Sequence, residues 1–107
     1  MMAEDFVPAA AVSDIPDPGS LLVEVDDRLV VLVRVGGEFF ALDDVCTHDG
    51  GPLSSGPIEE KTILCPRHGA RFDLRDGRPL SMPATQPTTT HEVRVEGDQV
   101  LIRLANR

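Results

Sequence analysis

At 107 residues the chain has the length of one domain, enough for a modest core yet small enough that a metal staple would contribute materially to folding. Four Phe and no Trp or Tyr leave that core to Val, Leu, Ile and Ala, so a metal-free form is expected to be loosely packed. The formal charge of −8 speaks against nucleic acid as a partner; it suits docking on a basic patch, or simply a well-solvated surface.

The amino terminus, Met1-Met2-Ala3-Glu4-Asp5-Phe6, is acidic and lacks the basic start and apolar stretch of a secretory signal. The longest apolar run, Leu29 to Val33, is five residues long and ends at Arg34. A bilayer span needs roughly 20 such residues. A soluble, cytoplasmic protein without membrane contact is expected.

Along the chain, β signals dominate and no helical period persists, so the fold class is all-β. Residues 21–25, 29–35 and 38–42 form short apolar or alternating runs separated by Asp26-Asp27 and Gly36-Gly37 turns, which makes a meander. Between residue 45 and about 75, short strands are expected at 62–64 and 70–73, with a turn at Asp76-Gly77. The Pro/Thr-rich stretch 83–90 has the length of a covering loop, not of a linker. Residues 92–96 and 100–103 flank Gly97-Asp98 as a final hairpin with alternating faces. The first and last groups of strands are expected to build one antiparallel base, with the middle segment inserted as a small subdomain.

That middle segment holds both cysteines of the chain and two of its three histidines: Cys46-Thr47-His48, then sixteen residues, then Cys65-Pro66-Arg67-His68. Each cluster offers one thiolate and one imidazole from a loop punctuated by Gly and Pro, a donor set that suits iron–sulfur or zinc. Zinc fingers more commonly use C-x-x-C with two histidines on a helix, whereas here the mixed order lies between strands. With both cysteines given to a metal no structural disulfide remains, which agrees with a reducing compartment.

Cys46-Thr47-His48-Asp49-Gly50-Gly51 and the stretch from Cys65-Pro66-Arg67-His68 through Gly69-Ala70-Arg71-Phe72-Asp73 resemble the two cluster-binding boxes of the Rieske family. Pro83, in Ser81-Met82-Pro83-Ala84, stands where that family has a third, Pro-containing loop. The resemblance covers nearly the whole chain. It implies one Rieske [2Fe–2S] domain over residues 1–107, an antiparallel base with a cluster-binding subdomain at about 45–75. It also implies a [2Fe–2S] cluster held by Cys46, His48, Cys65 and His68, two thiolates on one iron and two imidazoles on the other. An added electron is then expected on the histidine-ligated iron, with the outer nitrogens of His48 and His68 as an exit.

High-potential members of the family add a disulfide between the loops and hydroxyl donors to the cluster sulfurs. By the resemblance those positions fall on Gly51 and Arg67 and on Ala70 and Phe72, so this chain lacks both devices. A potential at the low end of the Rieske window, near roughly −150 mV, is expected.

The remaining residues are less specific. His91, outside both boxes and beside Glu92, reads as a surface histidine. Arg67 and Arg71 flank His68 and read either as part of a docking face that tunes the local field or as solvated arginines paired with nearby Asp residues, and they are assigned no role. No phosphate-cradling loop, no serine-nucleophile motif and no 2-His-1-carboxylate set lies outside the boxes, so the chain is not expected to be an enzyme. The mononuclear-iron domain of Rieske oxygenase large subunits finds no room in 107 residues. The resemblance therefore implies a freestanding ferredoxin, a monomer that shuttles single electrons from an NAD(P)H-dependent flavoprotein reductase to a non-haem iron oxygenase. Two alternatives stand beside it: a structural or regulatory Fe–S or zinc module, and a ferredoxin-like subunit of another redox complex such as nitrite reductase. Reversible reduction with fast transfer to a reductase separates the first reading from the structural module.

Overall fold

The computed structural model describes residues 6–44, 53–54, 56–65, 69–80 and 87–105. Among these residues nine strands follow in chain order: β1 Val7–Ala11, β2 Gly19–Val25, β3 Arg28–Val35, β4 Glu38–Asp43, β5 Ile58–Glu59, β6 Thr62–Leu64, β7 Arg71–Asp73, β8 Thr90–Glu96 and β9 Gln99–Arg103. A single 3₁₀ turn at Val12–Asp14 follows β1, and no α-helix occurs among the described residues. The all-β class expected from the sequence is borne out.

Six strands form an antiparallel sheet in the order β1-β9-β8-β4-β3-β2. The meander β2-β3-β4 turns twice in two residues: Val25 pairs with Arg28, and Val35 with Glu38. Both residues of each turn have positive φ, Asp26 and Asp27 at 50° and 66°, Gly36 and Gly37 at 60° and 80°. Such turns match the strand twist, and aspartate is among the few non-glycine residues that tolerate them. The carboxylate of Asp17 accepts the Gly36 and Gly37 N–H groups at 3.0 and 2.9 Å, which satisfies the tip of the second hairpin.

The C-terminal hairpin β8-β9 joins the meander through Ala41 opposite His91 and Leu42 opposite Thr90. β1 closes the far edge, Val7 opposite Ile102. Chain ends and meander thus form one base, as expected.

β3 explains the longest apolar run of the sequence. Its alternate residues face two different cores. Val30 and Leu32 pack with Ile15, Val25, Ala41, Val100 and Ile102 inside the base. Val31 and Val33 join Leu42 and point the other way, against Leu53, Ile63, Cys65, Ala70, Phe72 and Leu74 of the inserted segment. A strand covered on both faces needs apolar residues at every position rather than at every second one. Each such side chain contributes about 1.5–3 kcal/mol on burial.

The insert is built on a three-stranded sheet, β5-β6-β7, with Ile63 opposite Phe72. It runs past β7: the Asp73 N–H donates to the Arg78 carbonyl at 2.9 Å, the Leu80 N–H to the Arg71 carbonyl at 2.7 Å, and Pro79 bridges to Phe72. Phe72 is wholly buried and seals the insert against the outer face of β3 and β4.

Candidate metal centre

Of the four expected ligands, Cys65 lies among the described residues; Cys46, His48 and His68 lie outside them, as do Gly51, Arg67 and Pro83. Cys65 follows directly on β6, is 1% exposed and is not in a disulfide. Its main chain is fixed from the far side of the second box: the Cys65 N–H donates to the Ala70 carbonyl at 2.7 Å, and the Gly69 N–H donates to the Cys65 carbonyl at 2.9 Å. Two hydrogen bonds therefore bring together the flanks of residues 66–68, Cys65 on one side and Gly69 and Ala70 on the other.

The flanks of the first box are joined in the same way. Asp44 follows directly on β4, and its Oδ1 accepts the N–H groups of Leu53 at 2.8 Å and Ser54 at 2.7 Å. The flanks of residues 45–52, which contain Cys46 and His48, are thereby brought together. The Gly56 N–H donates to the Leu53 carbonyl at 2.8 Å, and the Leu64 N–H to the Pro57 carbonyl at 3.0 Å. At Gly56 a Cβ would overlap the Leu64 carbonyl oxygen, so only glycine allows this approach. Leu64 immediately precedes Cys65. The root of the first box therefore rests on the root of the second.

The chemistry of Cys65 fits an iron–sulfur centre. Its thiol sits in an apolar cluster with Leu53, Ala70 and Phe72, none of which offers a competing ligand. Thiolate is a soft donor that selects such centres.

Charged pairs stiffen the insert. The Asp73 carboxylate, 3% exposed, accepts Arg75 Nε at 3.0 Å and Nη2 at 2.8 Å, with Arg78 Nη2 at 3.4 Å. The hydrogen bonds from Arg75 hold its carboxyl far below the ordinary carboxylate range and outweigh the opposing effect of burial. Arg71 pairs with Glu59 of β5 at 3.1 Å, a glutamate where an aspartate partner was expected.

His91 overturns its expected place on the surface. Its side chain is fully buried, with Nε2 2.8 Å from Asp43 Oδ1 and Nδ1 accepting the Ala105 N–H at 2.9 Å. The physical reason is the β4–β8 pairing, which turns His91 inward toward Asp43 while Glu92 faces solvent. The alternation of His91, Val93 and Val95 against Glu92, Arg94 and Glu96 carried that signal.

The Rieske [2Fe-2S] domain model matches residues 5–101. The ferredoxin component of the naphthalene 1,2-dioxygenase system of Pseudomonas aeruginosa is 39% identical over 104 residues, covering 97% of this chain and 100% of its own. The solved ferredoxin of carbazole 1,9a-dioxygenase from Nocardioides aromaticivorans IC177 superposes with a TM-score of 0.90 at 28% identity, over 95% of this chain and 100% of that one. A solved complex of reduced oxygenase and oxidized ferredoxin in carbazole 1,9a-dioxygenase contains a chain that superposes at 0.86 with 32% identity, over 94% of each. A Rieske domain binds a [2Fe–2S] cluster, and the similar proteins carry electrons in multicomponent systems and are not their catalysts. The chain belongs to the Rieske [2Fe-2S] domain family, as an electron-transfer ferredoxin.

Proposed function

We propose that this ferredoxin takes single electrons from an NAD(P)H-dependent flavoprotein reductase and delivers them to a non-haem iron dioxygenase, as a monomer in the cytoplasm. The observation that carries this reading is the similarity, over nearly the full length of both chains, to the ferredoxin component of a dioxygenase system. The structural likeness to a ferredoxin solved together with its oxygenase supports the terminal partner. No helix among the described residues is long and apolar enough to cross a membrane.

Cys46 and Cys65 would hold one iron of the cluster, and His48 and His68 the other. When bound, the cluster supplies a reversible one-electron step at a potential raised by its two neutral ligands. The protein supplies the rest. Cys65 presents its sulfur from a dry, rigid position, and the Ala70 and Gly69 bonds fix the flanks of the segment that carries His68. Fixed ligands change little between redox states, which keeps the reorganisation accompanying transfer small.

The test is a stopped-flow cycle with a dioxygenase-system flavoprotein reductase and NADH, followed by reoxidation with the matching terminal oxygenase. Reduction and reoxidation of the cluster chromophore within the turnover time of the system are expected. A cluster that neither protein reduces or reoxidises would contradict the role. Replacement of His48 or His68 by Ala should abolish the Rieske signal, and a retained signal would remove them from the ligand set.

A further inference from the structure

We infer that Asp44 is the positioning residue of the first ligand-bearing segment, its carboxylate clasping the two flanks of residues 45–52 to each other and to the base. The inference rests on the ligand set proposed above and concerns a residue outside it. Asp44 Oδ1 accepts two main-chain N–H groups, Leu53 at 2.8 Å and Ser54 at 2.7 Å, and Oδ2 accepts the Ser54 hydroxyl at 3.3 Å.

Both sides of this clasp are anchored independently. On one side, the Asp44 N–H donates to the Leu29 carbonyl at 3.0 Å, and the Asp43 N–H to the Thr89 carbonyl at 2.8 Å. On the other, the Ser54 carbonyl accepts the Ser20 hydroxyl of β2 at 3.1 Å, and Leu53 is fully buried in the apolar cluster that contains Cys65. One carboxylate thus joins the end of β4 to the core around Cys65, across residues 45–52. Closing such a segment costs conformational entropy, and charge-assisted bonds to two amides offset it more strongly than neutral bonds would.

Asp17 is the matched control. Its carboxylate also accepts two main-chain N–H groups, but at the β3–β4 turn. The experiment follows iron release from the oxidised holoprotein to a ferrous chelator in the presence of a mild reductant, together with the EPR line shape of the reduced cluster.

Asp44→Ala is expected to release iron roughly 10- to 100-fold faster than the unaltered protein, the loss of charge-assisted bonds read as a rate, and to broaden the reduced signal. Asp44→Asn keeps an acceptor oxygen without the charge and should fall between the two. Asp17→Ala should release iron at the unaltered rate. Iron release from Asp44→Ala that is unchanged, or matched by Asp17→Ala, overturns the inference. If Asp44→Ala does not fold, Asp44→Asn against Asp17→Asn decides in the same way: faster release supports it and equal release overturns it. Cys46→Ala separates the two levels of the account. A cluster retained by that variant removes the ligand set and with it the role of Asp44, whereas a cluster lost there but held normally by Asp44→Ala overturns the inference alone.

Discussion

His91 and Asp43, 48 positions apart, meet at 2.8 Å beneath the surface of the base. Because His91 Nδ1 accepts the Ala105 N–H, the ring proton sits on Nε2 and is donated to Asp43. The same carboxylate accepts Arg28 Nη2 through both oxygens at 2.9 Å. One histidine therefore ties β8, the end of β4 and the segment after β9 together. His91→Ala leaves the Asp43 carboxylate short of a donor, the Ala105 N–H without its acceptor, and a void. A loss of about 2–4 kcal/mol in denaturant unfolding is expected. A loss below about 0.5 kcal/mol would place His91 among ordinary surface residues.

Asp73 sets the response to acid. Its folded carboxyl is depressed below the ordinary value of 3.8 chiefly by the hydrogen bonds from Arg75, so the unfolded chain takes up a proton first as pH falls. The stability this gives is fully present above the unfolded pKa and is lost progressively as pH drops from about 5. Asp73→Asn should lower the melting temperature at pH 7, while the difference from the unaltered protein shrinks toward pH 3. A difference that stays constant from pH 7 to pH 3 would show that Arg75 does not depress this carboxyl.

Gly56 tests the contact between the roots of the two boxes. Gly56→Ala sets a methyl group into the Leu64 carbonyl oxygen, and neither main chain can retreat without disturbing Leu53 or Cys65. A cost of about 2 kcal/mol or more is expected, with reduced iron content in the purified protein. Full iron content and an unchanged melting temperature would show the two roots to be independent.

Ala70 and Phe72 bear on the potential. Both are fully buried and neither carries a side-chain donor, where high-potential relatives would supply hydroxyls to the cluster sulfurs. A midpoint near roughly −150 mV is expected in an EPR-monitored titration, and Ala70→Ser should raise it. A midpoint above that of the standard hydrogen electrode would reject the donor argument.

Much of the fold was legible because local rules governed it. The Asp26-Asp27 and Gly36-Gly37 turns fixed the register of the meander, whereas the burial of β3 on both faces emerged only from the packing of the insert against it. β1 was not legible: Val7-Pro8-Ala9-Ala10-Ala11 has neither alternation nor bulk, and it becomes a strand only through β9, some ninety residues away. β5 spans only two residues, Ile58 and Glu59, below the length at which a period is visible. The two Cys/His clusters stood out by residue type and spacing alone. The clasp from Asp44 did not, because Asp43 and Asp44 are identical side chains in sequence; only the strand alternation sends one into the base and the other across to Leu53 and Ser54.

The central claim is that this chain carries a Rieske centre used for electron transfer. It is tested most directly by iron, sulfide and zinc analysis of the anaerobically purified protein, with absorption and low-temperature EPR spectra before and after dithionite. Iron and sulfide in equal amounts, two of each per chain, with a rhombic signal that appears on reduction at lower average g than an all-thiolate cluster gives, are the result expected. A colourless, EPR-silent protein holding one zinc per chain would contradict the account and leave a zinc-stabilised domain in its place.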